Sequence, residues 1–178
     1  MATAGLLLFL LAGIASGAGG GSLKAGTEVF GVDPARVLEV SYRSSEVRLI
    51  AHRWDVNQRF TLIVLTKSRA QPELCSAGPG FEAVLQQLTS LKLAKTFSPG
   101  QEEAYFKRQP LPTWAEVVIR DNSALPPFQA RITPLAGSSN EALVHFSGVT
   151  YMVNFDSQIF QVMAGGCATL GTAATQSK

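Results

Sequence analysis

The chain has 178 residues, a formal net charge of +2, and 16% charged against 46% hydrophobic residues. That apolar content excludes a disordered chain, and about twenty residues can be taken from the front and still leave one domain with its own core. The basic residues are spread from Arg36 to Arg108 rather than clustered, which argues against a nucleic-acid partner. Arg36, Arg43, Arg48, Arg53 and Arg59 recur at short intervals, as on a solvated face.

Residues 1–22 carry no charged side chain. Leu6, Leu7, Leu8, Phe9, Leu10, Leu11 and Ile14 form an apolar stretch of signal-peptide length, with Ser16 and Ala18 suited to a cleavage site before Gly19. The other reading is an uncleaved anchor, since Met1 to Leu23 would extend about 34 Å as a helix against a hydrocarbon core of ~30 Å. Ile14 stands where a lipidated cysteine would be required, which excludes lipid attachment by that route. Both readings bring the chain to a lipid bilayer. The expected location is membrane-associated with the domain extracytoplasmic (periplasmic in a bacterium), although the downstream Lys24, Arg36 and Arg43 leave a cytoplasmic side open.

Residues 23–28 continue a Gly-rich tether, and a single domain is expected over 29–163. Asp33-Pro34 reads as a cap and first helical residue of a short turn. Leu38, Val40 and Tyr42 alternate with polar residues as a half-buried strand. Ser44-Ser45 then turns the chain into a return strand through Val47, Leu49 and Ala51. Phe60 to Leu65 is apolar on both faces, so it reads as a strand covered on both sides or one whose second face meets a partner. Together these predict a three-stranded meander.

Gly78-Pro79-Gly80 breaks the chain before Phe81, Val84, Leu85, Leu88 and Leu91, which share one helical face. Lys92 and Lys95 then fall where a helix C-terminus favours cations. Burying the five apolar side chains contributes roughly 8–15 kcal/mol as an upper bound. Ser98-Pro99-Gly100-Gln101 has the form of a capping box and predicts a short second helix to about Phe106, ended by Pro110 and Pro112. Strands follow at Val117–Ile119, Phe128–Ile132, Leu143–Phe146 and Val149–Phe155, the last two joined at Ser147-Gly148. Asp156-Ser157 predicts a further turn into a strand at Ile159, Phe160 and Val162. Residues 164–178 read as a loose tail. The expected fold class is α+β: antiparallel β-meanders with one amphipathic helix and a short second helix between them.

Cys75 and Cys167 are too few and too far apart for a zinc site. In an oxidising compartment they could form one disulfide; otherwise they are two unpaired small residues. His52 and His145, both on expected strands, have no nucleophile or metal-ligand motif beside them, and Glu102-Glu103 are adjacent on a helix and so do not share a face. No catalytic, cofactor or metal site is expected. Tyr105, Phe106 and Trp114 are candidates for an interface, weighed against simple core packing.

Three stretches resemble one family: Val29 to Val37, the leucine-spaced Phe81 to Leu93, and Tyr105 to Arg120 with the hairpin at Tyr151. It is a bacterial exported, membrane-tethered domain of unknown function, sometimes encoded beside gliding-type ABC transporters. The resemblance spans residues 29–163. The chain departs from the family's pattern in placing Trp54 inside the first meander and in having Arg108-Gln109-Pro110 at the proline joint. It implies a non-catalytic envelope role and transfers no catalytic residues. The expected function is a membrane-anchored accessory or structural subunit docking on a larger membrane complex, with a secreted carrier of small apolar ligands as the alternative.

Overall fold

The computed structural model describes residues 24–97, 114–123, 125–135 and 137–172. Their architecture is mainly β. Ten strands form one antiparallel sheet: β1 (Val37–Arg43), β2 (Val47–His52), β3 (Thr61–Thr66), β4 (Glu73–Ala77), β5 (Lys92–Thr96), β6 (Ala115–Asp121), β7 (Phe128–Pro134), β8 (Glu141–Phe146), β9 (Val149–Asn154) and β10 (Gly171–Thr172). Three small helices accompany them: α1 (Pro79–Thr89), α2 (Gln158–Ala164) and α3 (Cys167–Leu170). This corrects the expected α+β class. A single sheet organises the chain, and its helices cover it rather than dividing it.

The strand order is β10-β4-β3-β2-β1-β6-β7-β8-β9-β5. It has the plan of a duplicated unit. Each half is a four-stranded meander followed by helix and then one strand, and that last strand crosses to the far edge of the other half. Thus β5, after α1, pairs with β9, and β10, after α3, pairs with β4. The two meanders meet at the β1–β6 ladder, where Val40 lies opposite Ile119 and Arg43 opposite Glu116. Ahead of the first strand, Gly26 and Val29 donate to the carbonyls of Leu93 and Leu91, so the incoming chain lies along the free side of β5.

Local sequence explains most of these elements. Asp33 caps a 3-10 turn over Pro34–Arg36 by accepting the Ala35 N–H at 2.9 Å. The β8–β9 hairpin turns at Ser147 and Gly148 with φ of 50° and 79°, the positive pair a tight two-residue hairpin requires. In α1 the stripe Phe81, Val84, Leu85 and Leu88 is buried as its spacing predicts, with Phe81 against Phe60, just ahead of β3, at 5.0 Å between ring centroids. Opposite it in the core lie Val40, Leu49, Leu62, Val117, Ile119 and Ile132.

Four expectations fail in informative ways. The helix stops at Thr89, and residues 92–96 are strand β5. Leu91 and Leu93 are both buried while Lys92 between them is exposed, a period of two that a helix cannot satisfy. The first meander has four strands, because Glu73–Ala77 adds β4 after β3. Ile159 and Phe160 lie in a helix, where Ile159 and Met163 bury one face at i, i+4. The stretch from 164 is folded through Thr172, held by α3, by β10 and by a bond between Cys75 and Cys167, whose Cα atoms are 6.0 Å apart. The expected second helix over 98–106, the N-terminal segment 1–22 and residues 173–178 lie outside the described residues.

Candidate functional site

With α1, α2 and α3 on one side, every strand turns its alternate side chains to the other. We call this the outer face. Cross-strand register arranges it in rows. One row runs Leu74–Ile63–Ile50–Ser41–Val118 across β4, β3, β2, β1 and β6. Two residues along, a second row runs Leu65–Arg48–Arg43–Glu116–Arg131–His145, from β3 across to β8.

The two halves of this face differ. On β7, β8 and β9 the outward Thr133, Leu143 and Thr150 are buried. On β3 and β4, Ile63, Leu65 and Leu74 are 44%, 37% and 69% exposed, and Trp54 just past β2 is 85% exposed. Large apolar side chains gathered on one solvent face mark an interaction surface more often than isolated ones do.

Among the described residues the β3 stretch is covered on one side, not on both. Leu62 and Val64 are fully buried, while Ile63 and Leu65 face outward.

Each half of the outer face carries one tryptophan beside one histidine. Trp54 meets His52 edge-on at 4.6 Å, and Trp114 meets His145 at 6.4 Å. A groove of about 340 Å³ beside the first pair is lined by Ile50, His52, Trp54, Arg59 and Ile63. A second, of about 330 Å³, is lined by Glu116, Val118, Gln129, Arg131 and His145. Arg131 stacks over Trp114 at 5.7 Å.

Arg53 fixes the loop that presents Trp54. Its guanidinium donates to the carbonyls of Val37 at 2.6 Å, Val56 at 2.7 Å, Ala35 at 2.7 Å and Pro34 at 3.3 Å, and lies over the Phe60 ring at 4.5 Å. Burial lowers its pKa, with the Asp55 carboxylate opposing that shift.

Charge on the face is only partly neutralised. On it Arg120 pairs with Glu39 at 3.8 Å; near its end Lys67 pairs with Glu46 at 3.0 Å, and on the helix-covered side Arg69 pairs with Glu73. Among the described residues no ion pair engages Arg43, Arg48 or Arg59. Arg43 and Arg48 stand directly opposite each other in the β1–β2 ladder.

Of the residues singled out in the sequence, Trp114 enters the outer face, and Tyr105 and Phe106 lie outside the described residues. So do Leu6, Leu7, Leu8, Phe9, Leu10, Leu11 and Ile14 of the expected anchor. Cys75 and Cys167 are joined, on the helix-covered side, where the bond ties α3 to β4. His145 Nδ1 lies 3.0 Å from the hydroxyl of Thr150, a residue only 2% exposed. Among the described residues no three His, Cys, Asp or Glu side chains come together to hold a metal ion, and no helix is long and apolar enough to cross a membrane. Trp54 and Leu74 were missed by sequence reasoning. Leu74 belongs to a strand that was not foreseen, and Trp54 follows His52 with no pattern to separate exposure from burial.

No family model matches the chain, and neither a curated protein nor a solved structure matches it.

Proposed function

We propose that this chain is a non-catalytic docking module, held at a membrane by its N-terminal segment, whose outer face over β2, β3 and β4 seats another protein. The observation that carries the reading is the exposure of Ile63, Leu65, Leu74 and Trp54 on one continuous face beside three arginines without ion-pair partners among the described residues. Tryptophan and arginine are the residues that most often anchor protein interfaces. Placement at a membrane rests on the uncharged apolar stretch 6–14. A domain on the extracytoplasmic side agrees with the bond between Cys75 and Cys167, since such bonds persist in oxidising compartments. The strand that receives the incoming chain, β5, is seven strand positions from β3. At ~4.8 Å per strand that separates tether from docking face by about 34 Å before twist.

A photo-crosslinking amino acid at position 63 or 74, in cells making the full chain, tests this. The reading expects discrete adducts there and none from position 86, an exposed site on α1. Equal yields from both sides of the sheet, or none from either, would reject it.

A further inference from the structure

Resting on that docking reading, we infer that the partner presents an extended segment in which acidic and apolar residues alternate, laid across β1, β2 and β3. Three observations converge on this chemistry.

The first is the pairing of Arg43 with Arg48. Residues opposite each other in an antiparallel ladder have Cα atoms about 4.5–5.5 Å apart, and like charges there destabilise the sheet. Both side chains are exposed, and no ion pair among the described residues engages either one. Glu116 lies opposite Arg43 on its other side, but it is also opposite Arg131 and so stands between two cations. Carboxylates placed over the two arginines would remove the repulsion and gain bidentate hydrogen bonds from each planar fork.

The second is the spacing of the rows. Ile63 and Ile50 lie two residues along their strands from Leu65 and Arg48, which is about 6.8 Å. An extended chain directs successive side chains to opposite sides. Running across the strands between the rows, it would put every second residue towards Arg48 and Arg43 and the intervening ones towards Ile50 and Ile63. Spanning three strands at ~4.8 Å each takes about four or five extended residues at ~3.3 Å apiece. Trp54 and Arg59, on the groove beside Ile63 and Ile50, bound one flank of this path.

The third separates a protein from an anionic lipid surface. Membrane recognition uses clusters of about four to eight Lys or Arg. Among the described residues, the glutamate pairs of Lys67 and Arg69 leave Arg43, Arg48 and Arg59 on this half of the face. That is too little charge for a lipid surface and enough for two or three carboxylates.

Fluorescence anisotropy with the full chain in detergent micelles tests the inference. The probes are a fluorescein-labelled octapeptide of alternating Glu and Leu, its Gln–Leu counterpart, and a peptide of the same composition with its Glu and Leu in separate blocks. Phosphatidylcholine vesicles containing phosphatidylglycerol form a fourth arm. The alternating acidic peptide is expected to bind best, and Arg43→Glu or Arg48→Glu to weaken it by about tenfold or more. Ile63→Ser should weaken it as well. These positions are exposed, so the variants retain the fold, which circular dichroism verifies. Equal binding of the Gln–Leu or block peptide, no binding of any peptide, unchanged affinity in the arginine variants, or binding to vesicles alone would each overturn the inference. The docking reading fails separately: if position 63 still gives adducts while the peptide fails, only the acidic alternating segment is rejected.

Discussion

Arg43 and Arg48 face each other across the β1–β2 ladder on the exposed side of the sheet, with Leu65 beyond Arg48 and Glu116 beyond Arg43. A hairpin gains nothing from two opposed cations, so their cost to the free protein is open to measurement. Arg48→Glu should raise stability by about 0.2–1 kcal/mol at low ionic strength, with the gain shrinking as salt screens the pair. Urea unfolding at two salt concentrations measures it. A loss of stability at low salt would mean the arginines contribute to the fold in some other way.

Arg53 is an arginine of another kind, since it donates to the carbonyls of Pro34, Ala35, Val37 and Val56 and covers Phe60. Arg53→Ala should cost about 1.5–3 kcal/mol or more, the range for hydrogen bonds to a charged group. Lysine cannot reproduce the planar fork, so Arg53→Lys should recover only part of that. Thermal unfolding decides between them.

Gly80 opens α1 against the chain at Thr169. A Cβ there would sit 1.9 Å from the Thr169 carbonyl oxygen, a backbone atom that cannot swing aside. Glycine to alanine in a helix ordinarily gains about 1 kcal/mol. At this position the sign should reverse, and Gly80→Ala should lower the midpoint of thermal unfolding. A higher midpoint would mean that α1 and α3 are not packed as described.

The bond between Cys75 and Cys167 closes a loop with a sequence separation of 92 residues. Chain entropy assigns such a crosslink about 4–5 kcal/mol, before strain. The double variant Cys75→Ala/Cys167→Ala should lose stability on that scale, and hydrogen exchange should quicken first at β10 and α3. Unchanged exchange there would show that the bond does not hold the C-terminal strand against β4.

Asp121 gives a pH dependence with a defined sign. Its carboxyl is held below the usual carboxylate range chiefly by the Ser123 hydroxyl, with the Ser123 N–H at 2.9 Å and the charge of Arg36 acting the same way. A depressed folded pKa stabilises the protein above the unfolded value of about 3.9 and loses that contribution as pH falls through the folded value. Ser123→Ala should move the Asp121 pKa upward in a carbon-detected NMR titration. No movement would remove the serine as the cause.

Much of the β architecture was legible because period-two alternation is strong where one face is buried. Leu38 to Arg43, Val47 to His52 and the Ser147-Gly148 hairpin all show it. What failed was local pattern at points where tertiary pairing decides. Leu91 fits the stripe of α1, yet the chain leaves the helix at Ser90 so that β5 can pair with β9. Ile159, Phe160 and Val162 could continue a strand by propensity, but burial of Ile159 with Met163 selects a helix. The crossing of β5 and β10 between halves has no local signal, since it depends on contacts between residues far apart in the chain. The outer face was half legible. Phe60 to Leu65 showed that its strand has a second apolar face, whereas its exposure beside Trp54 and Leu74 follows only from the sheet order.

The most direct test of the docking claim is the native size of the full chain extracted from its own membranes in mild detergent, compared with that of Ile63→Glu. Ile63 is 44% exposed, so the variant should unfold at the wild-type temperature. The wild type is expected to run in a larger complex and Ile63→Glu as the free chain. If both run at one size, free or assembled, the outer face over β2, β3 and β4 is not the docking surface.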